Sequence, residues 1–181
     1  MKTKSVICFM LSRKKDKIIN DPIYGFITLD EGIITNLIDH PYFQRLRKIS
    51  QLGLSYLVYP GAHHSRFHHA IGCMHLMTKA IYQIRKKGHS ILEKEAEALK
   101  IAILLHDIGH GPFSHVFDNI VIKDSSLHHE KRSRQIVEYI FKEVGTRPGL
   151  SSAYMIDYIK EMIEPMHNNY LESTENPSRR P

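Results

Sequence analysis

Ser90-Ile91-Leu92-Glu93-Lys94-Glu95-Ala96-Glu97-Ala98-Leu99-Lys100-Ile101-Ala102-Ile103-Leu104-Leu105-His106-Asp107-Ile108-Gly109-His110-Gly111-Pro112 decides how this chain folds. Ser90 to Glu93 has the form of a capping box. Glu93, Glu95 and Glu97 suit the positive end of a helix. Ala96, Leu99, Ile103, His106 and His110 then share one stripe at helical spacing. The buried stripe runs straight into histidines, and Gly111-Pro112 is expected to stop the helix. An unpaired polar stripe inside a helical core is costly, so these histidines are expected to hold something.

A divalent cation is the expected occupant. Neighbouring side chains on a helix point about 100° apart. His106 and Asp107 therefore reach one ion only if it lies over the ridge between them, and a remote histidine must close the site. His69 stands in the phrase His63-His64-Ser65-Arg66-Phe67-His68-His69. Two imidazoles and a carboxylate leave coordination positions open, as hydrolytic chemistry needs. Fe, Mn, Ni or Zn suits this donor set, and Mg stays open. The plainer reading is a buried, hydrogen-bonded polar cluster. His63, His64, His68 and His128 read as neighbours rather than ligands.

Outward from this block the chain reads as mostly α-helical. Residues 18–29 show apolar alternation broken by Asp21-Pro22 and Gly25, which predicts a short hairpin or extended arm. Short helices are expected over residues 33–39 and from Pro41, where Phe43, Leu46 and Ile49 share a face before Gly53 ends it. Residues 56–59 are expected to be extended. Ala70, Cys73, Met74, Met77, Ile81 and Ile84 predict a long helix over residues 65–86, ended by Lys86-Lys87-Gly88. His129 opens another helix with Ile136 and Ile140 on its face. Gly145-Thr146-Arg147-Pro148-Gly149 breaks it, and residues 153–163 form a last helix. Residues 168–181 are polar and expected to be disordered. No βαβ alternation is present. The domain plan is a basic tail (1–16), a helical core (17–144), and a linker, short helix and tail (145–181).

The net charge of +6 among 181 residues favours anionic partners such as nucleotides or single-stranded nucleic acid. The basic clusters Arg13-Lys14-Lys15, Arg85-Lys86-Lys87 and Lys131-Arg132-Ser133-Arg134 are individually better read as solvated helix faces. Cys8 and Cys73 form no CxxC pattern, which suggests a reducing compartment. The apolar run at residues 6–11 is too short for a signal peptide, and no stretch nears the roughly 20 apolar residues of a membrane helix. A cytoplasmic protein with no membrane partner is expected.

Beyond its periodicities, the chain carries an ordered series of phrases. They are Asn20-Asp21-Pro22-Ile23-Tyr24-Gly25, Phe43-Gln44-Arg45-Leu46-Arg47, Gln51-Leu52-Gly53 and Tyr59-Pro60-Gly61-Ala62. Ser65-Arg66-Phe67-His68-His69, Leu105-His106-Asp107-Ile108-Gly109-His110-Gly111-Pro112-Phe113-Ser114-His115 and His129-Glu130 follow. Over residues 17–134 this series resembles the HD-domain metal phosphohydrolases, in particular their deoxynucleoside triphosphate (dNTP) triphosphohydrolase branch. The resemblance implies an all-α helical bundle that hydrolyses dNTPs at the α-phosphorus, releasing triphosphate and a deoxynucleoside. The first substrate to try is dGTP.

It also implies residue roles. His69, His106 and Asp107 match metal ligands. His110, His115, Asp118 and His129 match catalytic and phosphate-facing groups. Arg66 matches a phosphate contact, and Gln51 and Leu52 match residues beside sugar and base. Lys17, Asp39, Gln44 and Arg47 resemble an activator-nucleotide pocket between subunits, which implies a dimer or tetramer. The leaving 5′-oxygen needs a proton, and histidine carries one near neutral pH. His115, oriented by Asp118, is the expected donor. Against these roles stand ordinary ones: a helix cap for Asp118, structural packing for the histidines, and local ion pairs for the four regulatory candidates.

The sequence also departs from the family. Its second metal-ligating aspartate, in an Arg-Asp pair downstream of an Asp-Tyr phrase, is missing. Asp157-Tyr158-Ile159-Lys160-Glu161 is a superficial echo, and Asp157 or Glu161 could substitute. The expectation is a truncated chain, the N-terminal half of a larger enzyme, weakly active or inactive alone. Two other readings remain open. One is a different HD phosphohydrolase, acting on a nucleotide monophosphate, a cyclic dinucleotide or an alarmone. The other is an inactive module that binds nucleotide or single-stranded nucleic acid.

Overall fold

The computed structural model describes residues 16–29, 32–113, 129–144 and 153–163. The expectations for His115, Asp118, the basic tail, the Gly145–Gly149 break and residues 168–181 fall outside those residues. What is described is mostly helical, with one small hairpin at its start.

The hairpin pairs β1 (Lys17–Asp21) with β2 (Gly25–Leu29), placing Lys17 opposite Leu29 and Asp21 opposite Gly25. Asp21 makes the turn: its Oδ1 accepts from the backbone N–H of Ile23 at 2.8 Å and of Tyr24 at 2.9 Å. Gly25 follows with φ +73°, a left-handed conformation suited to glycine. Ile27 and Leu29 point into the core.

Then come α1 (Ile33–Asp39), α2 (Pro41–Gln44) and a 3-10 turn over Arg45–Lys48. His40 joins the two helices. Its Nδ1 accepts from the Tyr42 N–H at 3.2 Å, so a histidine caps α2, and Pro41 sits at the first helical position. The expected face of Phe43, Leu46 and Ile49 is buried. The extended stretch expected at residues 56–59 is corrected: Ser55–Leu57 is a 3-10 turn, closed by bonds from the N–H groups of Val58 and Tyr59 to the Ser55 carbonyl.

The long helix α3 (Arg66–Lys86) matches its periodicity. Gly88 ends it at φ +89°, donating to the Arg85 carbonyl while His89 donates to that of Ile84. The next helix, α4 (Glu93–Leu105), starts later than the capping-box reading placed it. Leu92 is the cap, and its N–H donates to Glu95 Oε2 at 2.9 Å. The predicted stripe is corrected: its Leu99, Ile103 and His106 are only half-buried, and beside Ala96 the fully buried apolar residues are Ala98, Ile101, Ala102, Leu104 and Leu105. The continuous apolar run at residues 101–105 buries the C-terminal half of α4, and the helix lies against both α3 and α6 (Ala153–Ile163). The remaining helix, α5 (His129–Val144), packs on α6 and α1. Ile159 and Ile163 of α6 join Val137, Ile140 and Phe141 of α5 in the same core cluster as α3 and α4.

Candidate metal centre

The first turn of α3 and the residues after α4 meet at one point. Ser65 precedes α3, and its N–H donates to His68 Nδ1 at 3.3 Å, so His68 secures the helix start. Arg66 N–H donates to the Ile49 carbonyl at 2.8 Å, and Gln51 N–H to that of His64 at 3.1 Å. These bonds tie residues 49–51 to the start of α3. Gly53, at φ +57°, faces the Phe113 ring, three residues beyond His110.

The helix α4 does not continue to Gly111-Pro112 as the sequence suggested. It ends at Leu105, and residues 106–109 continue as turns. Donors from other segments satisfy the carbonyls there, so the helical ladder can stop early. Ser133 Oγ donates to the His106 carbonyl at 3.1 Å and accepts from the Gly109 N–H at 2.9 Å. Arg132 Nε donates to the Gly109 carbonyl at 3.1 Å. Arg45 donates to the carbonyls of Ile108 and His110. Gly109 lets α5 approach this closely: a Cβ there would stand 2.1 Å from the His129 carbonyl oxygen.

Three side chains converge at the resulting corner. Ligand atoms of His69, His106 and Asp107 all lie within 4.8 Å of one another, a group that can hold a metal ion. Asp107 Oδ1 is 3.3 Å from His106 Nε2, and Oδ2 is 3.6 Å from His69 Nε2. The His106 ring is held by its Nδ1, 2.7 Å from the Ile103 carbonyl. That bond fixes the tautomer and directs the Nε2 lone pair at the carboxylate. Two lone-pair groups facing one another are what a cation between them reconciles, so the donor set fits a divalent metal on this geometry. Arg66, itself buried, donates from Nη1 to Asp107 Oδ2 at 2.6 Å. Burial alone would raise the Asp107 pKa. The hydrogen bond from His110 and the charges of His106, His110 and Arg66 outweigh it and hold the carboxyl well below the usual carboxylate range. Burial lowers the His69 pKa and favours the neutral, ligating form.

The other candidates divide. His110 Nε2 lies 3.4 Å from Asp107 Oδ1, and its ring stacks on His129 with centroids 3.9 Å apart. Both imidazoles are buried beside the cluster. Of the regulatory candidates, Lys17 pairs with Asp39. Gln44 donates to the Ile38 carbonyl at 2.7 Å and accepts from Arg47 Nε at 2.8 Å. The Arg47 guanidinium covers the Phe67 ring. These contacts link the four residues as two local pairs around the α1–α2 corner. Asp157 and Glu161 are exposed on α6; Lys160 lies 4.0 Å from Asp157, and neither acid joins the metal group. Sequence reasoning gave no role to Arg45, Arg132 or Ser133. Arg45 lies in Phe43-Gln44-Arg45-Leu46-Arg47 and the other two in the basic run Lys131-Arg132-Ser133-Arg134, but nothing local marks them as partners of residues 106–110.

The model of the HD domain matches residues 66–180. The chain is 40% identical over 158 residues to the human deoxynucleoside triphosphate triphosphohydrolase SAMHD1, covering 81% of this chain and 25% of that protein. It is 39% identical over 161 residues to the SAMHD1 homolog of Dictyostelium discoideum, with 86% and 31% covered. A putative HD domain-containing protein of Acanthamoeba polyphaga mimivirus is 40% identical, with 86% and 37% covered. The chain thus spans between a quarter and just over a third of these curated relatives. Among solved structures, a phosphohydrolase from Bacteroides thetaiotaomicron is 49% identical with a TM-score of 0.68, over 71% of this chain and 32% of that one. Among the described residues no helix is long and apolar enough to cross a membrane.

Proposed function

The chain belongs to the HD-domain family, and on that premise we propose that it carries the metal-binding part of a phosphohydrolase acting on deoxynucleoside triphosphates. The observation that carries the reading is the convergence of His69, His106 and Asp107 within 4.8 Å. A divalent ion held there would neutralise charge on phosphoryl oxygens and lower the pKa of water. This chain's own residues orient the ligands and prepare the phosphate side. The Ile103 carbonyl fixes the His106 ring, and Arg66 secures the Asp107 carboxylate. The stacked pair His110 and His129 lies next to the carboxylate, where imidazoles can face a phosphate. His115 and Asp118 remain the proposed proton donor and its orienting acid, on the family resemblance. Gln51 and Leu52, in a segment tied to the start of α3, are proposed to border sugar and base. Arg66 is also proposed to contact phosphate.

The relatives named as triphosphohydrolases support dNTPs as the substrate class, with dGTP the first choice. An activating nucleotide at Lys17, Asp39, Gln44 and Arg47, and assembly into dimers or tetramers, belong to the same proposal. So does a cytoplasmic location. The test is incubation with Mn²⁺ and dGTP, scoring inorganic triphosphate, beside an Asp107→Asn variant. Triphosphate from the wild type and none from the variant supports the reading. Monophosphate or free phosphate as the product would replace it with a different HD phosphohydrolase. Nucleotide binding without turnover would leave a binding module.

A further inference from the structure

Every backbone carbonyl from residue 106 to residue 110 has a donor, and four of the five donors are side chains. Ser133 serves His106, Arg45 serves both Ile108 and His110, and Arg132 serves Gly109. The fifth, the Asp107 carbonyl, accepts from the His110 N–H at 3.1 Å. A helix end normally leaves such groups to water or to a local cap. Here two guanidiniums from different elements converge on one five-residue turn. That convergence is unfavourable in itself: burial and the neighbouring Arg132 charge both push the Arg45 pKa down. The turn they hold carries His106 and Asp107, with His110 beside them.

We propose that Arg45 and Arg132 are positioning residues of the metal centre, fixing the backbone from which His106, Asp107 and His110 project. This rests on the metal reading of the cluster. Neither arginine is required as a ligand. Each acts through carbonyls one to three residues from a ligand, so a displaced turn would rotate two ligands relative to His69, which stands on a separate helix. Arg45 reaches two carbonyls with one fork, 2.9 Å at His110, and a lysine has no fork.

Cobalt(II) titration of the metal-free chain tests this, because the visible spectrum reports coordination independently of turnover. Arg45→Lys, Arg132→Gln and the double variant are compared with Ile140→Val, a core change that lowers stability without touching the turn. The expected result is cobalt affinity weakened about 10-fold in each arginine variant, with altered band intensity. Ile140→Val should keep the wild-type spectrum at a comparable loss of thermal midpoint. If the arginine variants bind within about twofold of wild type with an unchanged spectrum, or if Ile140→Val weakens cobalt equally, the positioning role is overturned. A wild-type chain that takes up no cobalt overturns the metal reading, and this inference with it.

Discussion

Gly109→Ala is the most demanding test of how this corner is built. A Cβ at residue 109 would lie 2.1 Å from the His129 carbonyl oxygen, 2.5 Å from Ser133 N and 2.6 Å from Ser133 Oγ. Two of these are backbone atoms of α5, which no side-chain rotation can move aside. Opening the shortest contact even to a tight 3.0 Å requires a shift of about 0.9 Å. Overpacking of this kind costs about 1–3 kcal/mol. The same movement strains the two bonds of the Ser133 hydroxyl, each worth about 1 kcal/mol net. A total loss of about 3–5 kcal/mol follows, or about 6–20 °C in Tm for a chain of this size. Circular dichroism melting of the metal-free protein reads the midpoint, and manganese titration of the folded variant reads the site. Gly109→Ala melting within about 2 °C of wild type, with unchanged manganese affinity, would refute the close approach of α5.

Two further outcomes follow from other parts of the molecule. With metal removed, stability should fall as pH drops from about 7.5 to about 5.5, because burial keeps the folded-state pKa of His69 below its ordinary 6.5 and the unfolded chain takes up the proton first. Asp107, also depressed in the folded state, should add a second loss below about pH 4. Denaturant midpoints across this range check it: His69→Gln should flatten the upper part, and a wild-type curve rising toward acid would contradict it. His40→Ala removes the cap of α2 and the 2.9 Å contact of Nε2 with Glu143, which is half exposed. A loss of about 1–2 kcal/mol is expected by chemical denaturation. His40→Asn should recover only the cap's share, and full recovery would show that Glu143 contributes nothing.

Much of this architecture was legible because helix boundaries are set by nearby residues. Pro41, Lys86-Lys87-Gly88 and the apolar spacings at residues 33–39, 66–86 and 153–163 act within a turn or two of where they stand. The hairpin was equally local, since Asp21 and Gly25 make its turn by themselves. The three metal candidates could be read as a set because His-Asp after an apolar stripe is chemically unusual, and the structure brings His69 to them. What was not legible depended on distant partners. The early end of α4 follows from donors at residues 45, 132 and 133. The Leu92 cap replaced Ser90 because Glu95 reaches the Leu92 N–H, a choice between two adjacent frames. The His40 cap uses a ring nitrogen where a serine or aspartate would have signalled itself, and Tyr56 and Tyr59 carried no marker of the 3-10 turn.

The hydrogen bonds around residues 106–110 join positions 63 and 65 residues apart on one side and 23 to 27 apart on the other. During synthesis, α3 and α4 are already part of the chain before Ser133 has been added. Until then the His106 and Gly109 carbonyls must rely on water, and contacts spanning such separations form slowly. The corner is therefore assembled late, when α5 arrives. Metal supplied to a nascent chain ending short of α5 should meet a loosely held His-Asp pair rather than a finished site.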